Sequence, residues 1–210
     1  MSDDPAALGV TDPETLRQLL GPKKPVAVQK QMARLDGHCR RFIALSPFLC
    51  IGTMGPDGRA DVSPRGDPPG FVKVLDDRTI VIPDRPGNRR VDSMSSILSN
   101  PAVGLLFFVP GVDETLRVNG RASLLRDPEV LAGMAVDGKE PGLGIRVEID
   151  EVFFHCGKAL MRARLWDPGR RIDRRQFPSM GRLLHDQTGT DLSLEAMERS
   201  IEDGYRNELY

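Results

Sequence analysis

FLCIGTMGPDGRADVSP, residues 48–64, is the stretch that decides the fold. Residues 48–54 are rich in strand formers. Gly55-Pro56-Asp57-Gly58 is a hairpin turn signal, and residues 59–64 read as the return strand. A connection this short allows only antiparallel pairing, because parallel strands need a long crossover.

Downstream the texture continues. FVKVLDDRTIVIP (71–83) reads as strand, Asp76-Asp77 turn and strand. GNRRVDSMSSILSNPAVGLLFF (87–108) reads as a helix from Asn88 to Asn100, closed by Asn100-Pro101, and then a buried strand over 102–109. Val91, Met94 and Leu98 share one face of that helix. ETLRVNGRASLL (114–125) is another strand, with Gly120 as a bulge. DPEVLAGMAV (127–136) is a short capped helix, and residues 144–156 form the last long strand.

Helices lie on both sides of this block. TDPETLRQLLG (11–21) is capped by Thr11 or Asp12, has Pro13 in its first turn and ends at Gly21. Residues 26–46 read as one helix, because Val28, Met32, Leu35, Cys39, Phe42 and Ile43 recur at helical steps until Pro47. After residue 156, GKALMRARLW (157–166) reads as helical, and Leu194, Met197 and Ile201 share a face of a terminal helix. The fold class is α+β: an antiparallel sheet of about six or seven strands, enough for a small barrel, with flanking helices. Residues 1–46 and 157–210 are expected to be helical extensions around a barrel at 47–156, the second covering it.

Composition narrows the function. The 29 basic and 30 acidic residues leave a formal charge of −1, so nothing in bulk favours nucleic acid or an anionic membrane. No apolar run is long enough to span a bilayer. The acidic start, MSDDPAALGVTDPE, lacks the order of a signal peptide. Cys39, Cys50 and Cys156 are scattered and odd in number, which fits buried free thiols in a reducing cytoplasm. His38, His155 and His185 show no metal-ligand spacing.

Three segments carry candidate chemistry. Asn88, Arg89 and Arg90 open the expected helix with cations where its dipole disfavours them, so an anion is expected opposite. The competing reading is a solvated helix end paired with Asp84 or Asp92. DVSPRGDPPG (61–70) offers the Ser63 hydroxyl, the Arg65 fork and flexible Gly66; it also reads as a stiff turn with an exposed arginine. Lys158 and Arg162, four apart, face the same way, and with Arg164 and Trp166 would wall a planar anionic ligand. Alternatively the segment is an amphipathic helix with Trp166 in the core. No side chain stands out as an acid–base catalyst.

The order of these segments over residues 25–166 resembles the pyridoxamine 5′-phosphate oxidase-related, FMN-binding split-barrel family. The resemblance rests on FLCIGTMGPDGRADVSP, on TIVIPDRPGNRRVDSMSSILSNPAVGLLFF and on TLRVNGRA. SPRGDPPGF and KALMRARLW look like a bacterial subgroup generally described as FMN-dependent enzymes. The resemblance implies a split barrel with FMN as cofactor, its 5′-phosphate held by Asn88, Arg89 and Arg90. It places Ser63, Pro64, Arg65 and Gly66 along the flavin and its ribityl chain, and Pro83 and Asp84 in the same pocket. Thr115 would reach the flavin of a partner subunit, in a homodimer with FMN at the interface. An oxidoreductase acting on a small-molecule substrate or electron donor follows, with a non-catalytic or stress-related flavin module, or a haem or deazaflavin binder, as alternatives. The family's Arg-x-x-x-x-Lys strand and Arg-Leu-x-Pro ending are missing here, which argues against pyridoxamine phosphate as the substrate.

Overall fold

Seven strands form one antiparallel sheet in the computed structural model, which describes residues 9–210. The acidic residues 1–8, part of the segment read as lacking a signal peptide, lie outside the described residues. The strands are β1 (Phe48–Met54), β2 (Ala60–Gly66), β3 (Lys73–Val74), β4 (Thr79–Pro83), β5 (Ala102–Phe108), β6 (Thr115–Leu125) and β7 (Gly144–His155). Their order is β2-β1-β5-β6-β7-β4-β3. With its flanking helices this is the expected α+β split barrel.

The sheet does not close on itself. β2 pairs with β1, and β4 with β7 and β3, so β2 and β3 are the two edges. Pro64, which cannot donate to a ladder, sits within β2, where an edge tolerates it. Alternation fills the interior: Leu49 and Ile51 from β1, Leu105 and Phe107 from β5, Leu116 and Val118 from β6, and Ile145 and Val147 from β7 are buried together. Gly120 is the bulge. The β6–β7 register shifts there, and a Cβ would lie 2.0 Å from the Glu148 carbonyl oxygen.

The helices are α1 (Pro13–Leu20), α2 (Pro25–Gln29), α3 (Gly37–Leu45), α4 (Asp92–Ser99), α5 (Pro128–Ala132), α6 (Lys158–Ala163), α7 (Met180–Thr188) and α8 (Leu194–Asn207). The helix expected over 26–46 is therefore two. Met32 leaves the helical path to exchange backbone hydrogen bonds with Val152, and Asp36 caps α3 by accepting from the Cys39 N–H. The apolar period still reported burial: Leu35, Cys39, Phe42 and Ile43 are in the core, whereas Val28 is exposed. The first strand of 71–83 shrinks to the two residues of β3.

The helix expected from Asn88 starts four residues late. Its buried face is Ser93, Met94, Ser96 and Ile97, so of the expected Val91, Met94 and Leu98 only Met94 is buried. The thiols are free, but only that of Cys39 is buried, and burial pushes it up to about 11. Cys50 is half-buried and Cys156 exposed. α7 and α8 pack on each other. Gly181 lets them close, since a Cβ there would stand 2.7 Å from the Glu198 Cα, and the Ser179 hydroxyl donates to Glu198 across the pair. Among the described residues no helix is long and apolar enough to cross a membrane.

Candidate functional site

A cleft of about 580 Å³ lies at the seam, between β2, the end of β4, residues 84–91 and the start of α4. Alternation on β2 turns Asp61, Ser63 and Arg65 toward the half-buried side and leaves Val62 and Pro64 exposed. Ser63, Pro64, Arg65, Gly66, Pro83, Asp84, Asn88, Arg89 and Arg90 all line the cleft. The structure thus brings nine of the twelve candidates to one cleft.

No ladder crosses the seam here, but two ion pairs do. Arg65 Nη1 reaches Asp84 Oδ1 at 3.0 Å, with the side chains 18% and 30% exposed. Arg65 Nε is buried and has no hydrogen-bond partner among the described residues. Such a donor is costly to leave unmet. Burial raises the Asp84 carboxyl above its ordinary value, and the Arg65 charge pulls the other way. The second pair joins Arg85 Nε to Asp67 Oδ2 at 2.6 Å, with Asp67 only 1% exposed.

The loop between β4 and α4 is irregular. Arg89 (φ 58°) and Val91 (φ 54°) both sit in the left-handed region, which costs a residue with a Cβ about 1 kcal/mol or more. Asn88 does not cap the helix. Its side chain accepts from the Arg90 N–H within the loop. The cap position falls to Val91, which has no acceptor, so no side chain satisfies the first amides of α4. The competing reading of a solvated pair is partly met, because Arg90 Nε donates to Asp92 at 2.7 Å. That pair is largely exposed and so worth little. Arg89 makes no ion pair among the described residues.

The other three candidates lie elsewhere. Thr115 lines a second groove of about 480 Å³ on the outer face of the sheet, with Cys50, Gly52, Leu106, Asn119 and His155. Val62 lines both hollows, so they adjoin across β2. Lys158 and Arg162 line neither. They are exposed on α6, beside the second groove, to which Ala159 and Leu160 contribute. Trp166 is half-buried, neither core nor free wall: its indole N–H donates to the Val112 carbonyl and moors the segment to the β5–β6 turn.

Asp61, Arg85, Asp92 and Ser93 also line the cleft, and the sequence reading missed them as site residues. For Asp61 the signal was there: it shares the period of two with Ser63 and Arg65. The Ser93 hydroxyl donates to it at 3.3 Å.

A family model described as pyridoxamine 5′-phosphate oxidase matches residues 35–156. No curated protein matches the chain. Solved structures of similar fold include HupZ of Group A Streptococcus, 12% identical with a TM-score of 0.47, covering 57% of this chain and 93% of that one. General Stress Protein 26 from Bacillus anthracis is 15% identical with a TM-score of 0.42, covering 56% and 93%. The FAD binding protein from Mycobacterium smegmatis is 19% identical with a TM-score of 0.41, covering 59% and 97%.

Proposed function

We propose that this chain, which belongs to the pyridoxamine 5′-phosphate oxidase family, binds FMN in the seam cleft and works as a cytoplasmic, homodimeric flavin-dependent oxidoreductase. The observation that carries the reading is the start of α4. Its amides lack a capping side chain, and Arg89 and Arg90 stand just before it in a strained loop facing the cleft. Helix amides and guanidinium groups together suit a phosphate. Arg65, which lines the same cleft, adds a further guanidinium. The residues present therefore fit FMN.

In this reading Asn88, Arg89 and Arg90 hold the phosphate. Arg90 exchanges a weak exposed partner, Asp92, for a doubly charged one. Ser63 and Arg65 hold the ribityl side, with Pro64 and Gly66 on the strand alongside. Pro83 and Asp84 form the opposite rim, and Asp84 keeps Arg65 oriented. When bound, the isoalloxazine would supply the electron or hydride transfer. The chain's part is to bind, orient and exclude water.

The homodimer is supported by the outer sheet face. Phe48, Met54 and Val62 are 38%, 43% and 67% exposed, around the half-buried Leu106 and Phe108. A contiguous apolar patch of this kind marks an interaction surface. Thr115, Lys158 and Arg162 lie on or beside that face and would serve the partner's flavin. A visible spectrum of the purified protein with a flavin band tests the cofactor. Reduction by a nicotinamide donor followed by reoxidation by a small-molecule acceptor tests turnover. Flavin that binds but never cycles would reduce the reading to a binding module.

A further inference from the structure

The Arg85–Asp67 pair is not a pair but a triad. Asp67 presents one carboxylate oxygen, Oδ2, to Arg85 Nε at 2.6 Å. The other, Oδ1, accepts from the phenol of Tyr210 at 2.5 Å. The Tyr210 ring lies against the Arg85 guanidinium, 5.4 Å from centroid to Cζ, a distance at which the ring's quadrupole attracts the cation. Arg85 Nη2 donates on to the Met134 carbonyl at 2.7 Å. Lys139 Nζ in turn holds the Tyr210 backbone oxygen at 2.8 Å. Residues 143 positions apart are thus joined by one nearly inaccessible carboxylate.

The location gives the triad a meaning. Asp67 follows β2, and Arg85 follows Asp84 at the end of β4, so the triad ties the seam together beside the cleft, which Arg85 itself lines. Arg85, after Asp84, is the last residue anchored outside the loop that carries Asn88, Arg89 and Arg90 before that loop begins. That loop holds two residues in the left-handed region, and such strain persists only where the surroundings enforce it. Behind Arg85 lie Pro86 and Gly87 and no further side-chain tie until the Asn88–Arg90 turn and the Arg90–Asp92 pair. Arg85 is the fixed end.

We infer that Tyr210 is a positioning residue for the anion loop: by completing the hydrogen bonding of Asp67 and covering Arg85, it holds residues 85–91 in the shape that binds a phosphate. Nothing in the segment after α8 touches the cleft directly, so the effect passes through Arg85. The inference rests on the FMN reading of the cleft, and its test separates the two.

Tyr210→Phe keeps the ring over Arg85 and removes only the O–H donor. In the ligand-free protein, hydrogen exchange at the amides of residues 85 and 87–91 should speed up while β5 and β6 keep their protection. FMN should bind roughly five- to tenfold more weakly, at the lower end of couplings between distinct sites. Riboflavin, which lacks the phosphate, should bind as it does to the unaltered protein. Tyr210→Leu, which also removes the ring, should exaggerate each effect. Unchanged exchange at 85–91 in both variants overturns the inference, and so does a rise spread evenly over the core strands. An equal loss of FMN and riboflavin affinity overturns it too. Should the unaltered protein bind no flavin at all, the cofactor reading falls and the exchange measurement alone decides the role of Tyr210.

Discussion

Two ion pairs bridge one seam, and they differ in what water can reach. Arg65–Asp84 lines the cleft, with its carboxylate 30% exposed. In Arg85–Asp67 the arginine also lines the cleft, but the carboxylate is 1% exposed and uses both oxygens. The two bridges run between neighbouring residues of the same two strand ends with their charges reversed, and their carboxylates differ in surroundings. A partly solvated pair can take a ligand at little cost. A pair whose carboxylate is only 1% exposed is suited to hold, since removing the arginine strands a buried charge. On the proposed reading the seam separates binding from bracing within two residues.

The comparison can be broken at several points. The largest effect is expected in the open part. Replacing Arg89 and Arg90 together by alanine should weaken FMN binding by roughly two to four powers of ten while leaving the melting curve in place. Titration of flavin fluorescence reads the first, and circular dichroism the second. Next comes the closed pair. Asp67→Ala leaves Arg85 without its counter-charge and should cost about 3–5 kcal/mol in urea unfolding. Arg65→Ala should cost less stability than Asp67→Ala, because Asp84 is 30% exposed where Asp67 is 1%, and should weaken FMN by about one charged hydrogen bond, roughly one to two powers of ten. If Arg65→Ala were the more destabilising of the two, the distinction between the pairs would be wrong.

A smaller effect follows from Asp84. Burial raises its folded pKa above the ordinary 3.8, against the pull of Arg65. The native state therefore holds this proton more tightly than the unfolded chain does. Its contribution to stability is fully present below 3.8 and is lost as pH rises through the folded value. Removing Arg65 takes away the opposing pull, so in Arg65→Ala the loss should extend to higher pH. Carboxyl NMR shifts of Asp84 in the two proteins read this directly.

Much of the sheet was legible because its signals are local. Alternation in 48–54, the Gly55–Gly58 turn and the bulge at Gly120 each depend on residues near in sequence. The helix over 26–46 misled because a period of apolar residues reports which side is buried, not whether the chain is continuous. Asp36-Gly37 was the missed punctuation, with Asp36 capping α3. The start of α4 was misplaced for a related reason. Asn88 is a good cap by type, but it spent its side chain on the loop, and Val91 took the cap position despite having no acceptor. Family resemblance gathered Ser63, Arg65, Asp84 and Arg89 into one cleft that composition alone would have left scattered. The Asp67–Arg85–Tyr210 triad carried no sequence signal. Its members belong to three distant segments, and only folding brings them together.

The central claim is that the seam cleft recognises FMN by its phosphate. The most direct measurement is a paired titration of the flavin-free protein with FMN and with riboflavin, which share the ring and the ribityl chain. The account predicts that FMN binds tighter by at least about two powers of ten, the work of two or more charge-assisted hydrogen bonds, and that most of this preference disappears in the Arg89→Ala, Arg90→Ala double variant. Equal affinity for the two ligands, or a preference that survives the double substitution, would contradict it.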